Sequence, residues 1–364
     1  MSLGKLTVNG RQDGFLCEGK PFFWFADTCW SAFTSITEDD WDYYLTRRAE
    51  QGMNVLQINT LPQWDRCLPD LGIWPYASED GVHFDWNAPN QEYWDRARRM
   101  CEAAVEHGIR PALVLMWCNY VPGTWGAKIA ERCGAEVMPR EEVRAHVARV
   151  VENLGEFDPV YVVTGDTDFA GDEAIVYYED ALDEVVKRAP EALRTMHINR
   201  GNRTIPAQYL GRLDFYMFQP GHNYEGQPEA WRLPQDFIAN YPKKPMVNSE
   251  PCYEQIGASR NVYWRFTAQD CRASVWSSIL AGASAGVTYG AHGVWNWQTS
   301  RSQGSVLGEG FDMPFRWQEC LQFAGVWDFG AIEHVLASLG ATAGDDALAV
   351  VPAQELLDDA REAI

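Results

Sequence analysis

Basic residues are scarce in this chain, and several familiar sequence features are missing outright. Across 364 residues, 30 Lys plus Arg stand against 51 Asp plus Glu, a formal net charge of −21. A nucleic-acid surface needs clustered Lys and Arg, whereas the basic residues here gather only in small groups such as Arg47-Arg48 and Arg98-Arg99. Nucleic acid is therefore not an expected partner, and an anionic membrane surface is disfavoured for the same reason. No apolar run approaches the ~20 residues of a membrane-spanning helix. Met1 to Gly10 holds neither the basic stretch nor the apolar core of a secretory leader. There is no CxxC, no Gly-rich phosphate turn of the GxGxxG or P-loop type, and no HExxH. The nine Cys are scattered and odd in number. Reduced, buried thiols and a cytoplasmic location are the expectation.

What is present fits a folded protein, with 46% hydrophobic and 22% charged residues. Short β-rich runs alternate with amphipathic stretches along the chain. The strands are expected at 22–26, 54–58, 111–116, 160–163, 195–198, 214–218, 244–248 and 286–289, with helices over 37–52, 92–107, 140–154, 173–188 and 267–283 and a last one ending near Ser338. Thr37 followed by Asp40 reads as a helix N-cap. Eight nearly continuous apolar strands, each followed by a helix or a helix-sized gap, predict an α/β fold of the (β/α)8 TIM-barrel type. A doubly wound sheet is the alternative, and the missing phosphate turn counts against it. Residues 1–20 are expected to hold a short N-terminal β-hairpin turning at Asn9-Gly10. Residues 21–339 form the single barrel domain, and 340–364 a separate tail.

In such a barrel the active site lies at the C-terminal ends of the strands. Those ends carry Asp27 and Trp30, Asn59, Trp117 and Asn119, Asp166, Asn199, Gln219 and His222, Glu250 and Tyr253, and His292, Trp295 and Trp297. Asp166 and Glu250 follow apolar strands directly, and a carboxylate in such a place is paired, metal-bound or catalytic. The chain also has 16 Trp. Flat aromatic faces beside two opposed carboxyls are what hydrolysis of a glycosidic bond requires; a large packed core would also use them. Asp166 capping a helix and Glu250 pairing with an Arg is the purely structural alternative. Asp168, Asp172 and Glu254 read as caps or supporting residues, with Asp168 the substitute acid should Asp166 point away. A second class of reading is a metal-dependent barrel hydrolase or isomerase, with His197, His222 and His292 beside Asp27, Asp166 or Glu250. A third is a sugar-binding barrel without turnover.

Taken together, Phe22 to Trp30 (FFWFADTCW), Arg47 with Gly52-Met53-Asn54-Val55, Val163 to Asp166, Gln219 to His222, Ser249 to Glu254 and Tyr289 to Trp297 (YGAHGVWNW) resemble the apiosidase-like glycoside hydrolases. The resemblance runs over roughly residues 5 to 335. It implies a catalytic barrel in which Asp166 is the acid/base and Glu250 the nucleophile of a retaining mechanism. It also places Asp27, Trp30, His222, His292 and Trp295 near the sugar. No cofactor is implied, and the expected partner is a carbohydrate, a plant-type oligosaccharide or glycoside. Two departures stand out. The residues after Gly340 are too few for the C-terminal β-domain many members carry, and the acid is Asp where the broader clan has Glu after Asn.

Overall fold

The strongly apolar runs become eight parallel strands: β1 (Trp24–Thr28), β2 (Val55–Asn59), β3 (Arg110–Trp117), β4 (Val160–Gly165), β5 (Arg194–Thr195), β6 (Tyr216–Phe218), β7 (Met246–Asn248) and β8 (Gly286–Tyr289). The computed structural model describes residues 3–259, 262–300, 313–345, 348 and 350–353. The strands hydrogen-bond in the order β5-β4-β3-β2-β1-β8-β7-β6, all in parallel register. Between β5 and β6 no ladder forms. There the Asp214 amide donates to the Arg194 carbonyl at 3.0 Å, and the Thr195 hydroxyl to the Phe215 carbonyl at 2.8 Å. The fold is the expected (β/α)8 TIM barrel, nearly closed.

β5 ends earlier than the apolar pattern predicts, because residues 196–198 have no partner on β6 to ladder with. A lone bridge between Thr167 and Ile198 carries the chain on. The His197 amide still reaches the Thr164 carbonyl of β4 at 3.4 Å, which keeps the residue at the end of the sheet.

Around the strands pack α1 (Glu38–Glu50), α2 (Gln91–Glu106), α3 (Arg140–Leu154), α4 (Asp172–Arg188), α5 (Ala207–Leu210), α6 (Glu229–Asn240), α7 (Ala268–Leu280) and α8 (Ile332–Ser338). In α1 the Thr37 side chain caps the Asp40 amide, and Trp41, Tyr44, Leu45 and Arg48 form the buried stripe at helical spacing. α7 opens with a reciprocal capping box between Thr267 and Asp270.

The N-terminal hairpin is a three-stranded antiparallel sheet, Leu6–Val8, Phe15–Cys17 and Lys20–Phe22. Its first connection is longer than the expected Asn9-Gly10 turn, because the Asn9 side chain accepts from the Asp13 and Gly14 amides and rounds the whole of 9–14 into a loop. Phe15 is fully buried against Trp24 and Phe215, so this sheet plugs the end of the barrel where the strands begin. The stretch after α8 is tied to the same sheet. Arg11 donates to the Thr342 and Gly344 carbonyls at 2.8 and 2.7 Å, and Asn9 to the Ala343 carbonyl at 2.9 Å.

Candidate active site

Glu250 follows β7 and is nine-tenths buried. Three side chains from three strand ends address its carboxylate. Tyr253 Oη donates to Oε1 at 2.7 Å, His222 Nε2 faces the same oxygen at 3.0 Å, and His197 Nε2 lies 3.1 Å from Oε2. Burial alone would push this carboxyl up; the hydrogen bonds of the two facing imidazoles outweigh it and hold Glu250 well below the usual carboxylate range. Burial also raises the Tyr253 phenol, with the Glu250 charge acting in the same direction, so that group remains a donor.

Asp166 follows β4 on a backbone with φ of +51°, a left-handed conformation uncommon outside glycine. Its amide donates to His197 Nδ1 at 3.0 Å. A ring nitrogen that accepts carries no proton, so the proton of the neutral imidazole sits on Nε2, the atom turned to Glu250. One imidazole thus spans both carboxylate residues, with its tautomer fixed by the backbone of one of them. Gln219 Nε2 donates to Asp166 Oδ1 at 2.7 Å, and Trp125 Nε1 to its carbonyl at 2.7 Å.

Two glycines make this packing possible. A Cβ on Gly165 would lie 2.2 Å from the Trp117 ring, and one on Gly290 would lie 1.9 Å from the Tyr253 ring. Glycine at these positions lets Trp117 cross the end of β4 and Tyr253 cross the end of β8. Trp117 then stacks on His197 with centroids 5.8 Å apart. Trp30 packs against both, and its Nε1 donates to Tyr253 Oη at 3.0 Å.

Of the strand-end residues singled out in the sequence, Trp30, Trp117, Gln219, His222 and Tyr253 meet around Asp166, Glu250 and His197, and the others do different work from that expected. Gln219 serves Asp166 and the Ile198 carbonyl and is a positioning residue. Asp27, expected near the sugar, is taken up by partners within the protein. Its side chain is wholly enclosed, taking Arg48 Nε at 2.7 Å, Tyr44 Oη at 2.6 Å and the Thr28 amide at 3.0 Å. A salt bridge of this kind fixes α1 to β1. Trp297 is likewise committed to packing, stacked on Trp317 at 4.4 Å and edge-on to Tyr44. Trp295 Nε1 donates to His292 Nδ1 at 3.2 Å, and its carbonyl accepts from the Ser31 amide, which places it beside the Trp30 loop. Asn199 is half-buried, its amide bonded to the Thr167 carbonyl. Asn59 and Asn119 are buried, and both amide atoms of Asn59 and Oδ1 of Asn119 have no protein partner.

The supporting carboxylates behave as expected. Asp168 accepts from the Ala170 amide, and Asp172 opens α4. Glu254 takes Tyr289 Oη at 2.6 Å and the Gly325 amide at 3.0 Å. Sequence reasoning gave His197 only to the metal reading and missed Gly165, Gly290 and Trp125. The alternation that placed Asn199 inward places His197 on the same side, a signal that was available. Among the described residues, no group of three or more His, Cys, Asp or Glu has the arrangement of a metal site.

Comparison with known proteins gives the family and the fold. The apiosidase-like catalytic-domain family matches residues 12–342. A solved structure described as a glycoside hydrolase superposes with a TM-score of 0.74 at 24% identity, covering 92% of this chain and 75% of that one. A family 5 glycoside hydrolase from Bacteroides vulgatus ATCC 8482 gives 0.73 at 26% identity, with 92% and 72% covered. A family 5 mannosidase from Rhizomucor miehei shares the fold at 0.56 and 13% identity, with 90% and 97% covered. No curated protein matches the chain. With two strand-end carboxylates joined through one imidazole and a family match over nearly the whole barrel, the chain belongs to the apiosidase-like family of glycoside hydrolases.

Proposed function

We propose that the protein cleaves a glycosidic bond with retention of configuration, on a plant-type oligosaccharide or glycoside. Asp166 gives a proton to the leaving oxygen while Glu250 attacks the anomeric carbon, forming a glycosyl ester. Water then enters with Asp166 taking its proton, and the ester opens. The observation that carries this reading is the donor set on Glu250. A nucleophile must be ionised, and His197, His222 and Tyr253 supply that stabilisation from fixed positions. Asp166 is held by its backbone and by Gln219, on the strand end where the leaving group's proton donor is required.

Proton NMR of the first-formed sugar, recorded during turnover of an aryl glycoside panel that includes pentosides and apiosides, tests the stereochemistry. The substrate's anomeric configuration is expected in the product; the opposite configuration would assign Glu250 as a base rather than a nucleophile. Glu250→Gln and Asp166→Asn are each expected to lose at least about 100-fold in kcat. Normal turnover in either variant would remove that residue from its role.

A further inference from the structure

Asp166 stands on a backbone whose two polar groups are already taken, the amide by His197 Nδ1 at 3.0 Å and the carbonyl by Trp125 Nε1 at 2.7 Å. What is left to fix is the rotation of its short side chain, and Gln219 acts on that. Gln219 follows β6 directly and is 3% exposed. It lies at the seam of the barrel, where β5 and β6 form no ladder. Its carbonyl accepts from the Gly201 amide at 2.9 Å. Its Nε2 donates to the Ile198 carbonyl at 3.0 Å and to Asp166 Oδ1 at 2.7 Å.

The two ends of a side-chain amide offer opposite things, and which end points where is read from its partners. A backbone carbonyl only accepts, so the atom that meets the Ile198 carbonyl must be the nitrogen. The same nitrogen faces Asp166 Oδ1, which therefore meets a donor in either protonation state of the acid. In a protonated carboxyl one oxygen holds the hydrogen and the other is the better acceptor. An N–H aimed at Oδ1 makes that oxygen the acceptor and puts the proton on Oδ2. When the acid is ionised the same bond becomes charge-assisted.

We infer that Gln219 is a positioning residue that divides the work of Asp166 between its two oxygens: Oδ1 is anchored to the seam between β5 and β6, and Oδ2 carries the proton exchanged with the leaving group and then with water. This rests on the retaining reading above and adds which oxygen acts and what holds it. In the first step the Oδ2 proton passes to the leaving oxygen as its bond to the anomeric carbon breaks, that oxygen keeping the electron pair while Glu250 forms the ester. Asp166 is then an anion with the Gln219 donor still on Oδ1. In the second step Oδ2 takes a proton from water, the water oxygen bonds the anomeric carbon, and the ester bond breaks with its pair returning to Glu250. The titratable groups gathered near the acid include His197 against its amide, Asp168 two residues on, and the Cys118 thiol, which burial raises and the charges of Asp166, Asp168 and Asp65 raise further. Gln219 is uncharged, so replacing it by a neutral residue changes hydrogen bonding and not local charge.

Gln219→Met removes the donor and keeps the length of the side chain; Gln219→Asn keeps an amide and withdraws it by one methylene. Both are to be assayed beside wild type and Asp166→Asn on aryl glycosides of one sugar, from dinitrophenyl to phenyl. A dinitrophenolate departs without a proton, whereas a phenolate needs one. The ratio of kcat/KM between the dinitrophenyl and phenyl substrates should therefore rise about tenfold to 100-fold in the Gln219 variants. That ratio does not depend on the fraction of protein that is folded. On the dinitrophenyl substrate kcat and KM should fall together, because the ester accumulates while a misplaced base activates water. The basic limb of kcat/KM on the phenyl glycoside should move to higher pH, since a donor to the ionised form is gone. A wild-type ratio with an unmoved basic limb in both Gln219 variants, while Asp166→Asn shows a steep dependence on the leaving group, would overturn the inference and leave Asp166 as the acid. Asp166→Asn with the wild-type ratio would remove Asp166 as the acid, and the inference would fall with it.

Discussion

Asp27 and Glu250 are both buried carboxylates at strand ends, and both are addressed by three protein groups. Around Asp27 the set contains Arg48, a permanent cation, and the side chain has no exposed surface. Around Glu250 the two charged-capable partners are imidazoles, the third is a phenol, and one-tenth of the side chain reaches solvent. A guanidinium locks a carboxylate into a structural pair, whereas donors that can be neutral stabilise the anion and leave it able to react. Access and the nature of the donors separate framework from chemistry; burial alone does not.

The comparison can be broken most forcefully at Asp27. Asp27→Asn leaves Arg48 buried without its counter-charge, and urea unfolding should show a loss of about 3–5 kcal/mol. Glu250→Gln should cost far less stability while abolishing turnover. An Asp27→Asn protein of normal stability with weakened sugar binding would return that residue to the substrate.

Tyr253→Phe sharpens the Glu250 side. Removing a donor to the ionised form raises the carboxyl's pKa, so the acid limb of the kcat/KM profile must move to higher pH. The activity lost should be about ten- to a hundredfold, the range for a hydrogen bond to a charged group. A profile unmoved on its acid side would mean that Tyr253 does not support the anion. The smallest effect is expected at Asp168, whose carboxylate serves a local turn; Asp168→Asn should keep kcat within about twofold. A large loss there would make it, rather than Asp166, the acid.

The barrel was legible because its signal is repetitive: apolar runs, Gly stops and caps such as Thr37 agree along the chain. The proposed pair, Asp166 and Glu250, stood out in the sequence because a carboxylate directly after an apolar strand has few bland explanations. Roles one step removed were not. Asp27 and Glu250 look alike in sequence, and only Arg48, eleven residues after the helix cap at Thr37 and on the buried stripe of α1, tells them apart. Gln219 looked like a sugar contact because its partner, Asp166, is brought to it by folding. Gly165 and Gly290 read as turn residues until the rings they admit are placed.

The single imidazole of His197 joins matters that an engineer would want to adjust separately. Moving the loop that carries Asp166, to suit a bulkier leaving group, withdraws the amide that fixes the ring's proton. Glu250, at the end of β7, would then lose the imidazole that stands 3.1 Å from its Oε2 without itself having been touched. Exchange of parts between relatives should therefore succeed when the ends of β4, β5 and β7 travel as one block and fail when the acid loop is grafted alone.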